Sequence, residues 1–135
     1  MDFKLSAFAD ESSDLFSGQI DALKRNGIDY LEIRNLDGRN VTALSCAEAR
    51  ELAGILSDNG LQLWSMGSPI GKIKLEEDFN AHLDDLRNCL EVANILGAKN
   101  LRLFSFYMPK GEDPTPYKGQ VMDQLGQLVV APGSP

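Results

Sequence analysis

The chain has 135 residues, 43% hydrophobic and 24% charged, a composition that excludes a disordered or collagen-like chain and fits one soluble domain with a hydrophobic core. Its 13 basic and 20 acidic residues give a net charge of −7, which disfavours nucleic-acid binding because that binding depends on neutralising phosphates. The N-terminus does not resemble a signal peptide, and no apolar run is long enough to cross a membrane. Cys46 and Cys89 lack the CxxC spacing of a zinc or redox site. We therefore expect a cytoplasmic protein.

A short apolar strand, a polar loop and an amphipathic helix follow one another four times along the chain. The predicted strand and helix of each unit are, in order, 4–8 and 15–26, 30–34 and 45–58, 61–66 and 78–96, 101–106 and 117–130. The intervals between strand starts, 26, 31 and 40 residues, bracket the about 31 residues that one unit occupies in an eight-unit β/α barrel. We therefore predict one domain over residues 1–130 with a parallel sheet, followed by a disordered tail at 131–135.

The third predicted helix carries the clearest apolar stripe in the chain. Its expected buried positions recur in steps of four and three: Phe79, Leu83, Leu86, Leu90 and Ala93. His82, the only histidine, stands beside this stripe, and we expect it to be exposed. Ser45 followed by Glu48 predicts a capping box at the start of the second helix, and Asp37-Gly38 predicts a turn.

Functional sites in parallel β/α folds collect at the carboxyl ends of the strands. At the end of the second strand, Glu32 and Arg34 alternate with Leu31 and Ile33, so the charged pair faces away from the helices. A charge on that face needs a partner or a function. Two interpretations stay open: an ion pair of Glu32 with Arg34 or Arg102, and a contact between Glu32 and substrate.

The loop after the third strand, SMGSPIGK from Ser65 to Lys72, is not a nucleotide loop, because the GxxxxGK[ST] pattern is missing. Lys72 is either a contact for an anionic or polyhydroxy ligand or a solvated loop lysine. Several aromatic residues stand near strand ends, as the apolar wall of a sugar pocket or as part of the core: Phe8, Trp64, Phe104, Phe106 and Tyr107.

Four segments at the strand ends are distinctive: KLSAFADE (4–11), YLEIRNLDGRNV (30–41), SMGSPIGKI (65–73) and LRLFSFYMPKGEDP (101–114). In this order they resemble the sugar phosphate isomerase/epimerase family, the xylose isomerase-like group of TIM barrels, over about residues 3–129. The resemblance implies an α/β fold, a (β/α)4 half of a TIM barrel with helices on the outer face of a parallel sheet. It also implies a divalent metal, Mn²⁺ or Mg²⁺, and isomerisation or epimerisation of a sugar or sugar phosphate by a carboxylate base.

The family's metal ligands and catalytic glutamates come mainly from later strands, so the resemblance assigns no catalytic or metal-binding residue here. The substrate-binding positions that we expect are Glu32, Arg34, Ser65, Ser68, Lys72, Phe8 and Phe104. The chain is then an enzyme half that is inactive alone or active only as an assembly. The open sheet edges predict a homo-oligomer.

Three other functions stay open. The first is a non-catalytic module that binds a polyol or sugar, or regulates another protein. The second is an oligomer with a metal site built from Glu32 and from Asp10 or Glu11 of two chains. The third, a DNA-repair endonuclease of the same barrel group, is disfavoured by the net charge of −7 and by the lack of histidine ligands.

Overall fold

Short strands and longer helices alternate along residues 3–130, the part of the chain that this computed structural model describes. The strands are β1 (Ser6–Phe8), β2 (Tyr30–Ile33), β3 (Asn35–Leu36), β4 (Arg39–Asn40), β5 (Gln62–Gly67) and β6 (Asn100–Arg102). The helices are α1 (Phe16–Arg25), α2 (Cys46–Asp58), α3 (Phe79–Leu96) and α4 (Lys118–Val129). The tail predicted at 131–135 lies outside the described residues. Within the described part, no helix is both long and apolar enough to span a bilayer.

The main sheet is parallel and has the strand order β1-β2-β5-β6. Each crossover therefore moves one strand further in the same direction, as in one arc of a β/α barrel. Strands β3 and β4 form a separate hairpin, whose turn is the predicted Asp37-Gly38 with φ of 49° and 78°. This architecture confirms the predicted α/β fold, a parallel sheet with helices that matches half of a TIM barrel.

The hydrophobic core lies on one face of the main sheet, where all four helices pack in a single cluster with the strands. Leu31 and Ile33 of β2 and Met66 of β5 are at most 1% exposed, and they point into this cluster. Their neighbours along each strand point to the opposite face, because side chains alternate. We call this opposite face the inner face of the sheet.

The predicted helices agree with the observed ones to within two residues at each end. The capping box is confirmed: the Ser45 hydroxyl accepts a hydrogen bond from the Glu48 amide, and the Glu48 carboxylate accepts one from the Ser45 amide. The hydrogen bond from the Ser45 amide, followed by those from the Arg39 guanidinium and the Ser45 hydroxyl, lowers the pKa of Glu48 to about 2.

The predicted fourth strand is present, but its predicted end at residue 106 is wrong, because β6 ends at Arg102. Beyond that residue the backbone bonds to the loop that follows β5. The amides of Phe104 and Phe106 donate to the carbonyls of Ile70 and Gly71, at 2.8 and 2.9 Å. The apolar pattern of residues 101–106 could not show that their backbone leaves β5 and bonds to the loop after it.

The buried stripe of α3 also differs from the prediction. Leu86 and Ala93 are buried as expected, but the other three predicted positions, Phe79, Leu83 and Leu90, are only partly buried. His82 is 8% exposed, so the expectation that it is exposed is wrong. Its Nε2 accepts a hydrogen bond from the Gly71 amide at 2.7 Å, which turns this side of the helix toward the loop after β5.

Candidate functional site

The carboxyl ends of the four parallel strands bring polar and aromatic side chains together on the inner face. Register places Phe8, Glu32 and Ser65 side by side on β1, β2 and β5, and it places Gly67 beside Arg102 of β6. Residues in register on parallel strands share a face of the sheet. The alternation in the sequence therefore identified this face correctly.

Arg34 is held at this end by two carboxylates of the turn that follows β1. Its Nε and Nη2 donate to the two carboxylate oxygens of Asp10 at 2.8 and 3.0 Å, and Nη2 also donates to Glu11 at 2.6 Å. The Asp10 side chain is 8% exposed. Its burial acts to raise the pKa of that carboxyl, but hydrogen bonds from Arg34 and Asn35 hold the pKa below its ordinary value of 3.8. The predicted pair of Glu32 with Arg34 is thus wrong, because the turn after β1 places nearer acids.

The Glu32 carboxylate has no hydrogen bond and no ion pair with any residue that the structure describes. The alternative pair with Arg102 is wrong as well. Strand β5 separates the two residues, and two strand spacings amount to about 10 Å. Glu32 is therefore a half-buried carboxylate whose oxygens are available to a ligand.

Cations and aromatic rings alternate along the inner face. The Phe8 ring centroid lies 4.9 Å from the guanidinium of Arg34 and 5.7 Å from that of Arg102. The Phe104 centroid lies 4.7 Å from the guanidinium of Arg102 and 4.5 Å from Nζ of Lys72. Aromatic faces attract cations, so the two rings hold three positive side chains on one surface.

The loop that carries Lys72 is fixed by buried hydrogen bonds. Ser68 is fully buried, and its hydroxyl donates to the Arg102 carbonyl at 2.6 Å and accepts from the Ile70 amide. In this arrangement Ser68 supports the loop and does not face a ligand. Gly71, with φ of +85°, packs so closely on Phe104 that a Cβ would lie 1.8 Å from its carbonyl oxygen.

The predicted site residues thus divide into two groups. One group meets on the inner face: Phe8, Glu32, Arg34, Ser65, Lys72 and Phe104. Ser68 lies beneath the loop. The sequence did not reveal Asp10 as the partner of Arg34. It indicated Arg102 only as a partner for Glu32, although the alternation of Arg102 with Leu101 and Leu103 already placed it on this face.

A different cavity, of about 390 Å³, opens at the amino-terminal end of the sheet. Tyr30 and Trp64 meet there edge to face with centroids 5.9 Å apart, and Lys4 and Lys99 also line the cavity. The described residues that line it include no carboxylate. Trp64 is 41% exposed and so lies outside the core, and its side chain lines this cavity rather than the site at the carboxyl ends of the strands.

The donor set on the inner face does not fit a metal ion by itself. Within residues 3–130, no three His, Cys, Asp or Glu side chains group closely enough to hold one. Arg34 already engages Asp10 and Glu11, which leaves Glu32 as the available carboxylate. This face can accept hydrogen bonds from hydroxyl groups through Glu32, and it can attract negative charge through its cations.

A family model described as a xylose isomerase-like TIM barrel matches residues 20–131. No curated protein matches the chain significantly. Among solved structures, the probable 3-DHS dehydratase AsbF from Bacillus anthracis is 16% identical with a TM-score of 0.71, over 93% of this chain and 47% of that one.

Two further solved structures share the fold. A xylose isomerase domain protein from Planctomyces limnophilus is 9% identical with a TM-score of 0.65, over 98% of this chain and 52% of that one. The 3-keto-D-glucoside 4-epimerase YcjR from E. coli is 16% identical with a TM-score of 0.55, over 87% and 48%. The chain spans about half the length of these structures.

Proposed function

The chain belongs to the family of xylose isomerase-like TIM barrels, and we propose that it is half of a sugar isomerase or epimerase that binds its substrate on the inner face at the carboxyl ends of β1, β2, β5 and β6. The observation that carries this proposal is the half-buried Glu32 carboxylate, without a partner among the described residues and flanked by the aromatic rings and cations of that face. The name of one solved relative, an epimerase of a keto-glucoside, supports a sugar as the ligand.

The residues of this chain suit binding and orientation of a sugar. Glu32 accepts hydrogen bonds from sugar hydroxyls, and the rings of Phe8 and Phe104 hold the cations of this face in position beside it. Arg34 is neutralised by Asp10 and Glu11, so it shapes the wall of the site through its stacking on Phe8. The ligand is thus held by groups whose positions the sheet and the turn after β1 fix.

Chemistry at a carbon beside a carbonyl requires a base and an electrophile that stabilises the developing negative charge. The divalent cation that the family resemblance implies, Mn²⁺ or Mg²⁺, needs ligands beyond those available on this face. We therefore propose that turnover requires additional strands, supplied by a second copy of the chain. We also propose a cytoplasmic location, supported by the free thiols of Cys46 and Cys89.

A non-catalytic sugar-binding or regulatory module is the second candidate. It is favoured by the small number of available carboxylates: within the described residues, Glu32 is the one carboxylate of the inner face that is not paired. Acid–base chemistry assisted by a metal requires further carboxylates or other metal ligands. The same binding residues serve both candidates, so turnover must separate them.

The test combines calorimetric titration of the chain with aldoses, ketoses and their phosphates, and an isomerisation assay in the presence of Mn²⁺. We expect saturable binding of a sugar that Glu32→Gln weakens about tenfold, the loss expected for a hydrogen bond to a charged group. Glu51→Gln, on the exposed side of α2, should leave binding unchanged. Turnover identifies an enzyme, and binding without turnover identifies the module. If no sugar binds, both candidates fail.

A further inference from the structure

Two of the three cations on the inner face have no ion-pair partner among the described residues. Arg34 makes three hydrogen bonds to carboxylates, whereas Arg102 and Lys72 make none. The protein has 20 acidic and 13 basic residues, so acids are in excess. Water can solvate the exposed Lys72, but Arg102 is partly buried, and no acid within the described residues supplies a counter-charge for it.

Arg102 also has a buried donor without an acceptor. Its Nε is inaccessible to solvent and donates to no atom within the described part of the chain. Buried polar groups in folded proteins almost always have a hydrogen-bond partner, and a donor that lacks one costs free energy. A ligand oxygen could reach Nε only after a small shift of this side chain, and that shift would give the donor the acceptor that it lacks.

The surroundings hold these cations in place before a ligand arrives. Gly67 lies beneath the guanidinium of Arg102, and a Cβ there would come within 3.3 Å of Nη2. The Phe104 ring holds both the guanidinium and the Lys72 ammonium within 5 Å of its centroid. Phe104 is itself fixed to the Lys72 loop through the bond from its amide to Ile70. The two charges are thus oriented by packing and backbone rather than by a carboxylate.

We propose that Arg102 and Lys72, stacked on Phe104, bind an oxyanion: the phosphate group of a sugar phosphate or the carboxylate of a sugar acid. A guanidinium presents parallel N–H donors that match two oxygens of such a group, and a lysine adds a point charge. The inference rests on the proposed function for the rest of the ligand, whose hydroxyl groups would lie toward Glu32. The substrate is then an anionic sugar derivative rather than a neutral sugar.

The test is a calorimetric titration of the full chain, at constant ionic strength, with inorganic phosphate, a sugar phosphate, an aldonate and a neutral sugar. The arginine Nε–H signal of Arg102 is followed in parallel by ¹H–¹⁵N NMR. We expect the anionic sugars to bind at least about tenfold more tightly than the neutral one, and phosphate to shift the Arg102 signal. The relative affinities of the phosphate and carboxylate ligands identify which oxyanion the subsite prefers.

Substitutions provide the second part of the test. Arg102→Gln and Lys72→Gln should each weaken binding of the anionic sugar about tenfold or more. The control Lys99→Gln removes the same charge at the opposite end of the sheet and should change the affinity less than about twofold. If Arg102→Gln does not fold, Arg102→Lys and the NMR signal of the unmodified chain serve instead.

The outcomes separate this inference from the proposed function. Binding of the neutral sugar as tight as that of the anionic one, with an Arg102 signal that phosphate leaves unmoved, overturns the oxyanion subsite and leaves the sugar site intact. Binding of inorganic phosphate at Arg102 without binding of any sugar supports the subsite and overturns the proposed function.

Discussion

Asp10 joins the end of β1 to the end of β2 through its two-point pair with Arg34. Burial acts to raise its pKa, but the hydrogen bonds from Arg34 and Asn35 prevail, and the pKa lies below 3.8. A carboxyl whose pKa is lowered on folding contributes stability that is fully present above the unfolded value. That contribution is lost as the pH falls through the folded value.

The Asp10→Asn variant tests this contribution. At pH 7 we expect it to lower the free energy of unfolding by about 1–3 kcal/mol, because it leaves the charge of Arg34 less well compensated. Urea denaturation at a series of acid pH values should show that the difference in free energy of unfolding between variant and wild type narrows below about pH 4. Asp21→Asn, at an exposed acid of α1, is the matched control, and its free energy of unfolding should match that of the wild type. A difference for Asp10→Asn that stays constant down to about pH 2 would show that the ionised Asp10 does not supply this stability.

Gly71 is a second position where one residue controls the site. Gly71→Ala adds a left-handed backbone strain and a clash, since the new Cβ would meet the Phe104 carbonyl oxygen. Gly111 has nearly the same φ, +84°, but no described atom lies within 4 Å of the place that its Cβ would take. We expect Gly111→Ala to cost about 1 kcal/mol and Gly71→Ala at least about 3 kcal/mol in thermal or urea unfolding. Equal losses would mean that the contact with Phe104 is unimportant.

At the scale of elements, α3 positions the Lys72 loop through His82. Because Nε2 of His82 accepts from the Gly71 amide, the proton of the neutral ring is on Nδ1, which lies 3.7 Å from Asp85. Substitution of His82 therefore removes the acceptor of a buried backbone N–H. The effect should reach the site through the loop.

His82→Leu should lower the free energy of unfolding by about 1–3 kcal/mol, the cost of a buried unsatisfied donor. It should also speed hydrogen exchange of the Gly71 amide. His82→Gln offers a carbonyl oxygen in place of Nε2, so it should lose less stability and protect the amide in part. Unchanged exchange at Gly71 in His82→Leu would show that the histidine does not hold the loop.

The helices were predictable from sequence because their signals are local. Spacing of apolar residues and the Ser45–Glu48 capping box need only a few neighbouring residues. The partner of Arg34 and the orientation of His82 depend on segments more than ten residues away: the turn after β1 and the loop after β5. Strand alternation could place Glu32 and Arg102 on one face, but it could not show that β5 separates them.

At the scale of the whole molecule, the four-stranded sheet has two edges, β1 and β6, and an inner face that carries charged and aromatic side chains. Eight strands close a β/α barrel. Two copies related by a twofold axis along the barrel would pair β6 of each chain with β1 of the other, in parallel, and so close the sheet.

We expect light scattering to show a dimer at tens of micromolar chain. Leu5, which is 66% exposed beside β1, would be covered in that dimer, so Leu5→Asp should shift the equilibrium toward the monomer. Ile55, 43% exposed on α2 in the middle of the arc, provides the control, and Ile55→Asp should leave the association unchanged. A monomer throughout this concentration range would contradict the twofold assembly.

A map of backbone amide shifts, recorded during titration with the sugar that binds most tightly, tests directly whether the carboxyl end of the inner face binds a sugar. We expect saturable shifts at 8–10, 32–34, 65–72 and 102–104. The amino-terminal cavity around Trp64 should remain unperturbed. Shifts concentrated at that cavity, or no saturable shifts at the strand ends, would contradict the claim.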